Sequence, residues 1–530
     1  MIQKLLQLLH STDETNILLA LEITKTIPDT TIPEKLEAYL KFYQHCYEPQ
    51  IQSLQVQHIC FLNQPVIYLN KKRLQILPAE LGILVNLKEL HLQYNSLASL
   101  PKEIGLLRKL EKLHLRHNQL AAIPKELGCL KMLKCLDLGS NNLIGIPQEI
   151  GNLTQLTSLS LRQNRLKSIP PTLNKLHRLS FLCLDNNQLT SIPDTFEKLS
   201  NLEELNLSDN LFRVFPKSLG KLKNLSRLYL YRCKLKAIPD ELGHLIKLTD
   251  LYIGNNHINE IPRTLGNLQN LLHLHINNNQ ITEIPDDLGK LDNLLQLRLS
   301  HNKVTQLPKE IGKLLNLTHL YLQGNELEIL PNELGQLKSL LLLYLDNNKL
   351  AELPNEIGLL KKLTELYISN NLLKHLPKTL GDLTRLEELH VCSNQLTQLP
   401  DQLGKLCNLQ ELHLSCNMLA EIPVTLGKLT NLTSLYLDKN QLSNLPKEFN
   451  NLQNLEELSL ANNGFSCIPG EVMELCNLSR LYLSNNQISL IPKELNNLKR
   501  LSQLHLWGNN IPYSEIEKLY EILPNCEIYF

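Results

Sequence analysis

Glu388, His390, Cys392 and His413 are side-chain types from which metal centres are assembled. At that spacing they would project from neighbouring strands toward one side. A metal ion needs ligands that converge at close range, whereas a flat sheet is expected to hold them apart, so no metal is expected. Other chemistries lack their motifs. Gly220-Lys221 and Gly312-Lys313 are followed by Leu, and no G-x-x-x-x-G-K-[ST] occurs, so the sequence contains no phosphate loop. Within the repeats each Cys and His occupies a place in the repeating frame rather than a nucleophile–base setting, and neither a catalytic residue nor a cofactor is expected.

The more prominent signal is a column of rings. Of the 20 positions 68, 91, 114 and onward to 505, eight are Tyr (68, 229, 252, 321, 344, 367, 436, 482) and six are His (91, 114, 275, 390, 413, 505). Tyrosine combines a broad stiff surface with a polar tip, which suits an interface. Rings on adjacent strands also stack on one another, so the column has a purely structural reading as well. Two patches stand out. Tyr229, Tyr231, Arg232 and Tyr252 cluster beside Cys233, with Arg227 and Asp250 adjoining; this reads either as a hot spot or as a locally varied turn. Glu365, Glu388 and Glu411 run beside Tyr367, His390 and His413. Like charges about 4.8 Å apart repel and invite a basic partner, although solvated carboxylates explain them too. The candidate partner-binding residues are therefore Tyr229, Tyr231, Arg232, Tyr252, Tyr321, Tyr344, Tyr367, Glu388, His390, Glu411, His413 and Tyr436.

A strict repeat must position these residues. Prolines stand at 78, 101, 124, 147 and onward at the same interval to Pro492, without insertion or deletion. In the same frame Leu or Ile fills the column from Ile67 to Leu504, and an aliphatic residue fills the column from Leu69 to Leu506. Alternation of this kind predicts a short strand with one buried side, leaving the intervening residue on the other face. Asparagine stands three places after the second aliphatic, from Asn95 to Asn509, with Cys233 the one break. Its amide both donates and accepts, so it can pair backbone groups that a buried turn would otherwise leave unsatisfied. Proline then ends the strand and starts a helical turn, where its missing N–H costs nothing. Glycine fills 14 of 19 places from Gly82 to Gly427, replaced at Asn174, Glu197, Asn450, Met473 and Asn496; it is expected to permit a tight reversal.

The unit L-x-L-x-x-N-x-L-x-x-L-P-x-x-L-G-x-L-x-x-L resembles the leucine-rich-repeat family, in its 23-residue L-P-x-x-[LI]-G class found in bacterial repeat proteins and in plant and animal Ras-group scaffolds. The resemblance covers residues 67 to 511. It implies an α/β solenoid, with a curved parallel sheet on the concave face and short helical or irregular segments on the convex face. It also implies a protein partner on the concave face, with a small GTPase or phosphatase as the sharper version. The N-terminal segment contains no basic-Val-x-Phe docking motif.

A stack of repeats exposes apolar faces at its ends, so caps are expected. Residues 1–60 read as a helical N-terminal cap, with helix starts at Ser11-Thr-Asp-Glu14 and Thr31-Ile-Pro-Glu34; residues 61–511 are the solenoid of about 20 repeats; residues 512–530 are a C-terminal cap with a helix over 514–523 and a closing apolar tail. Lys plus Arg and Asp plus Glu are equal at 53 each, which gives no pull toward nucleic acid or an anionic membrane. No run approaches the roughly 18 apolar residues of a spanning helix, so no membrane insertion is expected. The start MIQKLLQLLHSTDET shows no cleavage site and reads as mature protein, and the 12 scattered cysteines fit a reducing cytoplasm. The expected function is a non-catalytic protein–protein interaction scaffold in intracellular signalling. The alternative is a secreted or surface effector or adhesion protein.

Overall fold

Each letter of the repeat becomes a specific backbone arrangement in the computed structural model, which describes residues 2–26 and 31–530. Met1 and residues 27–30, inside the expected N-terminal cap, lie outside the described residues. The chain divides into two units, Met1–Asn256 and His257–Phe530. In the first, helices α1 (Ile2–Leu9), α2 (Glu14–Thr24), α3 (Thr31–Cys46) and α4 (Val56–Leu62) precede a series of evenly spaced short strands, one per repeat, from β1 (Val66–Tyr68) to β9 (Asp250–Tyr252). The second runs from β10 (His273–His275) to β20 (Gln503–His505) at the same spacing, then α5 (Tyr513–Ile522) and β21 (Glu527–Tyr529). Within each unit neighbouring strands pair in parallel, Ile67 opposite Leu90 and Leu343 opposite Leu366. The layering is the predicted one: a parallel sheet on one side and short 3-10 turns on the other. No helix among the described residues is long and apolar enough to cross a membrane.

One repeat shows how the sequence builds a layer. Leu343, Leu345, Leu350, Leu353, Ile357, Leu360 and Leu363 all point inward and are at most 6% exposed. Each removes apolar surface from water for roughly 1.5–3 kcal/mol, and none of these side chains carries a polar atom that would need a partner. Pro354 ends the strand side in an extended conformation (φ −66°), and its carbonyl accepts the Ile357 N–H at 3.1 Å to open the 3-10 turn Asn355–Leu359. Asn348 supplies the polar seam. Its Nδ2 donates to the carbonyls of Leu345 (2.9 Å) and of Leu322 in the preceding repeat (3.1 Å), while its Oδ1 accepts the Leu327 N–H at 3.1 Å. The same pattern recurs along both units and ties each repeat to the one before it.

The glycine column has a different cause from the expected tight reversal. These glycines do not adopt positive φ; only Gly324 and Gly508, outside the column, do so among the described glycines. What matters is room for the next repeat. A Cβ on Gly381 would lie 2.0 Å from the Gln402 carbonyl oxygen, and one on Gly151 would lie 2.2 Å from that of Thr172. At two of the breaks in the column the replacing side chain makes polar links instead: Glu197 pairs with Lys221 at 2.5 Å, and Asn450 donates to Glu474 at 2.9 Å.

The terminal segments are helical as expected, with shifts in detail. The cap of α2 is Asp13, whose carboxylate accepts the Thr15 N–H at 2.8 Å, rather than Ser11. On these helices Ile17 and Tyr43 are buried while Leu18 is 49% exposed. The helix α5 matches the expected span within a residue, and the apolar tail forms a strand on β20. There Leu504 sits opposite Ile528, one place later than the period of the other strands would put it.

Candidate partner-binding site

The position between the two core leucines of each strand points away from the core, and rings placed there meet their neighbours. In the second unit six form an unbroken strip. Tyr321, Tyr344, Tyr367, His390, His413 and Tyr436 stack in succession with ring centroids 5.0, 4.4, 4.1, 3.9 and 4.3 Å apart. The pairing register brings the rings side by side, since Tyr344 sits opposite Tyr367 and His390 opposite His413. The Arg298 guanidinium lies over the Tyr321 ring, 4.6 Å from its centroid, and covers one end. At the other end Ser459 stands opposite Tyr436 and stops the stack. Every ring in the strip is half-buried: the four interior rings have a neighbour on both faces, so their accessible surface is at the edges.

The carboxylates beside the strip are less free than an isolated acidic column. The Tyr344 hydroxyl donates to Glu365 at 2.7 Å, and the Tyr367 hydroxyl donates to Glu388. In both cases the acceptor lies 21 residues after the donor, on the next strand. Glu411 is the exception, because position 390 is histidine and offers it no hydroxyl. Burial, then the hydrogen bond to Glu457, pushes the Tyr436 hydroxyl up to about 12, and burial with the neighbouring Glu365 and Glu388 likewise raises Tyr344 and Tyr367. These phenols therefore act as neutral donors at pH 7. Burial, reinforced by His413, lowers His390 to about 4 and keeps its ring uncharged there.

The expectation that a flat sheet would hold the candidate metal ligands apart fails for His390 and His413, which meet Glu411 rather than Glu388. The ligand atoms of His390, Glu411 and His413 all lie within 4.8 Å of one another. Stacking is the reason: rings pressed face to face at 3.9 Å carry their nitrogens together instead of fanning out. Cys392 is not part of the cluster; it lies beyond the strand, and its amide donates to Ser369 Oγ at 3.1 Å.

In the first unit the second patch is also assembled. Tyr229 and Tyr252 stack at 4.8 Å with planes 5° apart, and Tyr231 leans on Tyr252 at 6.0 Å. Burial, then Asp250, pushes Tyr252 up to about 12, and its hydroxyl donates to Asp250 at 3.3 Å. Arg227 pairs with Glu204 at 2.7 Å, and Arg232 reaches Asp209 at 3.3 Å while staying 68% exposed. Cys233 alters the turn itself. Its thiol donates to the carbonyls of Leu207 and Tyr231, both at 3.3 Å, but it has no oxygen for the Phe212 amide, the place Asn would serve. Arg232 and Lys234 both take positive φ (49° and 60°), a double left-handed turn matched among the described residues only around Lys72, where Lys71 and Arg73 do the same. Burial pushes the Cys233 thiol up to about 12, so it is a structural donor and not a nucleophile.

Other stacks were hidden from the candidate set. Tyr68, His91 and His114 form a three-ring stack at 4.6 and 4.7 Å, and Tyr482, His505 and Tyr529 form another at 4.6 and 4.2 Å. Tyr529 escapes the column because of the one-residue shift in β21; reading Glu527-Ile528-Tyr529 as a late copy of Gln503-Leu504-His505 would have found it.

Models of leucine-rich repeats match this chain over most of its length: a leucine-rich repeat region at 124–234, 342–441 and 424–522, further leucine-rich repeats at 85–143 and 246–304, and one more at 316–337. The chain belongs to the leucine-rich-repeat family. Among solved leucine-rich-repeat structures it is similar to the plant peptide hormone receptor RGFR1 in complex with RGF2, at 30% identity and TM-score 0.70 over 84% of this chain and 79% of that one. It is also similar to the Arabidopsis receptor kinase HAESA ectodomain in complex with an extended IDA peptide hormone, at 30% identity and TM-score 0.65 over 93% and 88%. A TDR receptor structure is similar at 28% identity and TM-score 0.69 over 84% and 80%. No curated protein matches the chain significantly.

Proposed function

We propose that this leucine-rich-repeat chain is a non-catalytic scaffold that docks a protein partner on the strand face, with the strip from Tyr321 to Tyr436 as the main contact and the Tyr229–Tyr252 patch as a second. The observation that carries this is the strip itself: six rings already locked by mutual stacking, with accessible edges and carboxylates beside them. Rings fixed before the partner arrives lose little freedom on binding, which is where preorganised surfaces gain affinity. Tyrosine edges with adjoining Glu388 and Glu411 suit a partner segment bearing Lys or Arg. Hormone peptides held by the similar receptors RGFR1 and HAESA support a peptide or protein ligand. Resemblance to the 23-residue class of Ras-group scaffolds supports the finer reading: cytoplasmic signalling, with a small GTPase or phosphatase as partner. Exposed free thiols at Cys407, Cys467 and Cys476 fit a reducing compartment. The α1–α4 segment then serves as the N-terminal cap, and α5 with β21 as the C-terminal one.

A second reading, a secreted or surface repeat protein, is favoured by the receptor ectodomain of HAESA among the similar structures. Partner capture from native lysate tests the first. Tyr344→Ala/Tyr367→Ala and Tyr229→Ala/Tyr252→Ala should each weaken recovery of the wild-type partner roughly tenfold or more, as loss of aromatic hot spots does. Equal recovery by wild type and both variants would remove the strand face from consideration. Finding the native protein outside the cell, with its thiols oxidised, would favour the second reading.

A further inference from the structure

We propose that His390, Glu411 and His413 form a binding site for a divalent transition-metal ion, a property separate from partner docking. The cluster offers two imidazole nitrogens and one carboxylate oxygen, a donor set suited to Zn2+ and its neighbours in the first transition row. Their ligand atoms lie within 4.8 Å of one another, and all three residues are half-buried. Bound Zn2+ holds such atoms at about 2.0–2.2 Å from itself, so ligand atoms sit roughly 3.0–3.6 Å apart. The required contraction is about an ångström, within reach of ring and carboxylate rotation on an open face. The stacked rings must tilt out of parallel to aim both nitrogens at one ion, so metal binding would exchange part of their stacking contact for coordination.

Two details mark this set out from ordinary surface residues. His390 Nε2 is buried without a hydrogen-bond partner, the Glu388 carboxylate standing 3.6 Å away, and a metal would satisfy it. Glu411 lacks the tyrosine donor that engages Glu365 and Glu388; its carboxylate instead meets His413 Nε2 in a long hydrogen bond of 3.4 Å, which already joins two of the three ligands. The chain also contains a natural control. His91 and His114 stack at 4.7 Å on adjacent strands, but Lys112 replaces the second glutamate and pairs with Glu89 at 2.9 Å. A lysine ammonium at that point repels a cation, so the two histidine pairs should differ although their rings are arranged alike. Three protein ligands leave one or more coordination positions open to water.

Calorimetric titration of the chelator-treated full chain with ZnCl2, followed by CoCl2 absorption spectra, tests the site. One ion per chain should bind with a distinct heat, and Co2+ should show ligand-field bands in the visible range. His390→Ala and Glu411→Lys should each weaken binding by roughly tenfold or more, since even loss of a residue that merely orients a ligand costs about 10–100-fold. His91→Ala/His114→Ala should leave the stoichiometric site intact. Circular dichroism melts in chelator establish that the variants are folded. Only weak binding shared among many histidines, or a tight site that survives both His390→Ala and Glu411→Lys, overturns the assignment. Since no partner is present in the titration, its outcome is independent of the docking function.

Discussion

Cys233 donates its thiol to the carbonyl of Leu207, 26 residues earlier, and so makes in weakened form the link that Asn256 makes to Leu230 in the next repeat. Its sulfur is only a weak acceptor for the Phe212 amide, where an asparagine oxygen would be a strong one. Cys233→Asn should therefore raise stability by about 1 kcal/mol, the net value of a typical buried hydrogen bond. It should also return Lys234 to an ordinary φ. A denaturant midpoint unchanged or lowered relative to wild type would show that the altered turn around Arg232 is retained by its other contacts.

Asn348 is the same device at full strength. Asn348, only 8% exposed, is the acceptor for the Leu327 amide, so Asn348→Ala would leave that N–H unpaired; the Leu345 and Leu322 carbonyls would each lose one of two donors and keep Asn371 and Asn325 respectively. Leaving one buried amide unpaired predicts a loss of roughly 1–3 kcal/mol. Asn348→Cys should cost less than Asn348→Ala, because it reproduces the arrangement at Cys233. Equilibrium unfolding of both variants checks the ranking, and an Ala variant as stable as wild type would contradict it.

Gly381 and Gly145 separate room from flexibility. A Cβ at Gly381 would meet the Gln402 carbonyl oxygen at 2.0 Å, whereas one at Gly145 would have nothing within 4 Å. Gly381→Ala should destabilise by about 1–3 kcal/mol, the usual cost of overpacking. Gly145→Ala should be neutral or stabilising by up to about 1 kcal/mol, because it restricts the unfolded chain. Thermal melts of the two variants give the comparison; similar shifts in both would mean that chain entropy, and not the neighbouring repeat, explains the column.

Much of this architecture was legible because a strict sequence period fixes which side chains share a face, as the unbroken proline column from Pro78 to Pro492 shows. The strand leucines, the Asn seam and the outward Tyr and His column all follow from that period and the two-residue alternation of a strand. The convergence of His390, Glu411 and His413 did not follow, because it depends on ring stacking, which spacing alone does not determine. The engagement of Glu365 and Glu388 by hydroxyls 21 residues earlier was equally hidden, since side-chain reach is diagonal across strands. Tyr529 was missed for a simpler reason: the last strand is out of step by one residue.

His10 gives the N-terminal helices an acid-sensitive contact. Its Nδ1 lies 2.8 Å from the Tyr39 hydroxyl, which itself donates to Asn63, so the imidazole donates its N–H to the tyrosine oxygen. Burial first, and then the cations of Lys35 on α3 and Lys109 in the adjoining repeats, lower His10 from 6.5 to about 4. Below the ordinary histidine value the unfolded chain therefore takes up a proton before the folded one does. Stability contributed by neutral His10 is complete above about pH 6.5 and is lost as the pH falls from there toward about 4. Hydrogen exchange of the α1–α4 segment across that range should show protection falling in the wild type and falling less in His10→Gln, which keeps a donor but cannot titrate. Because carboxylates titrate over part of the same range, the difference between the two proteins is the measure. Parallel loss of protection in both would mean that His10 stays uncharged or finds water on protonation, and that acid acts on these helices elsewhere.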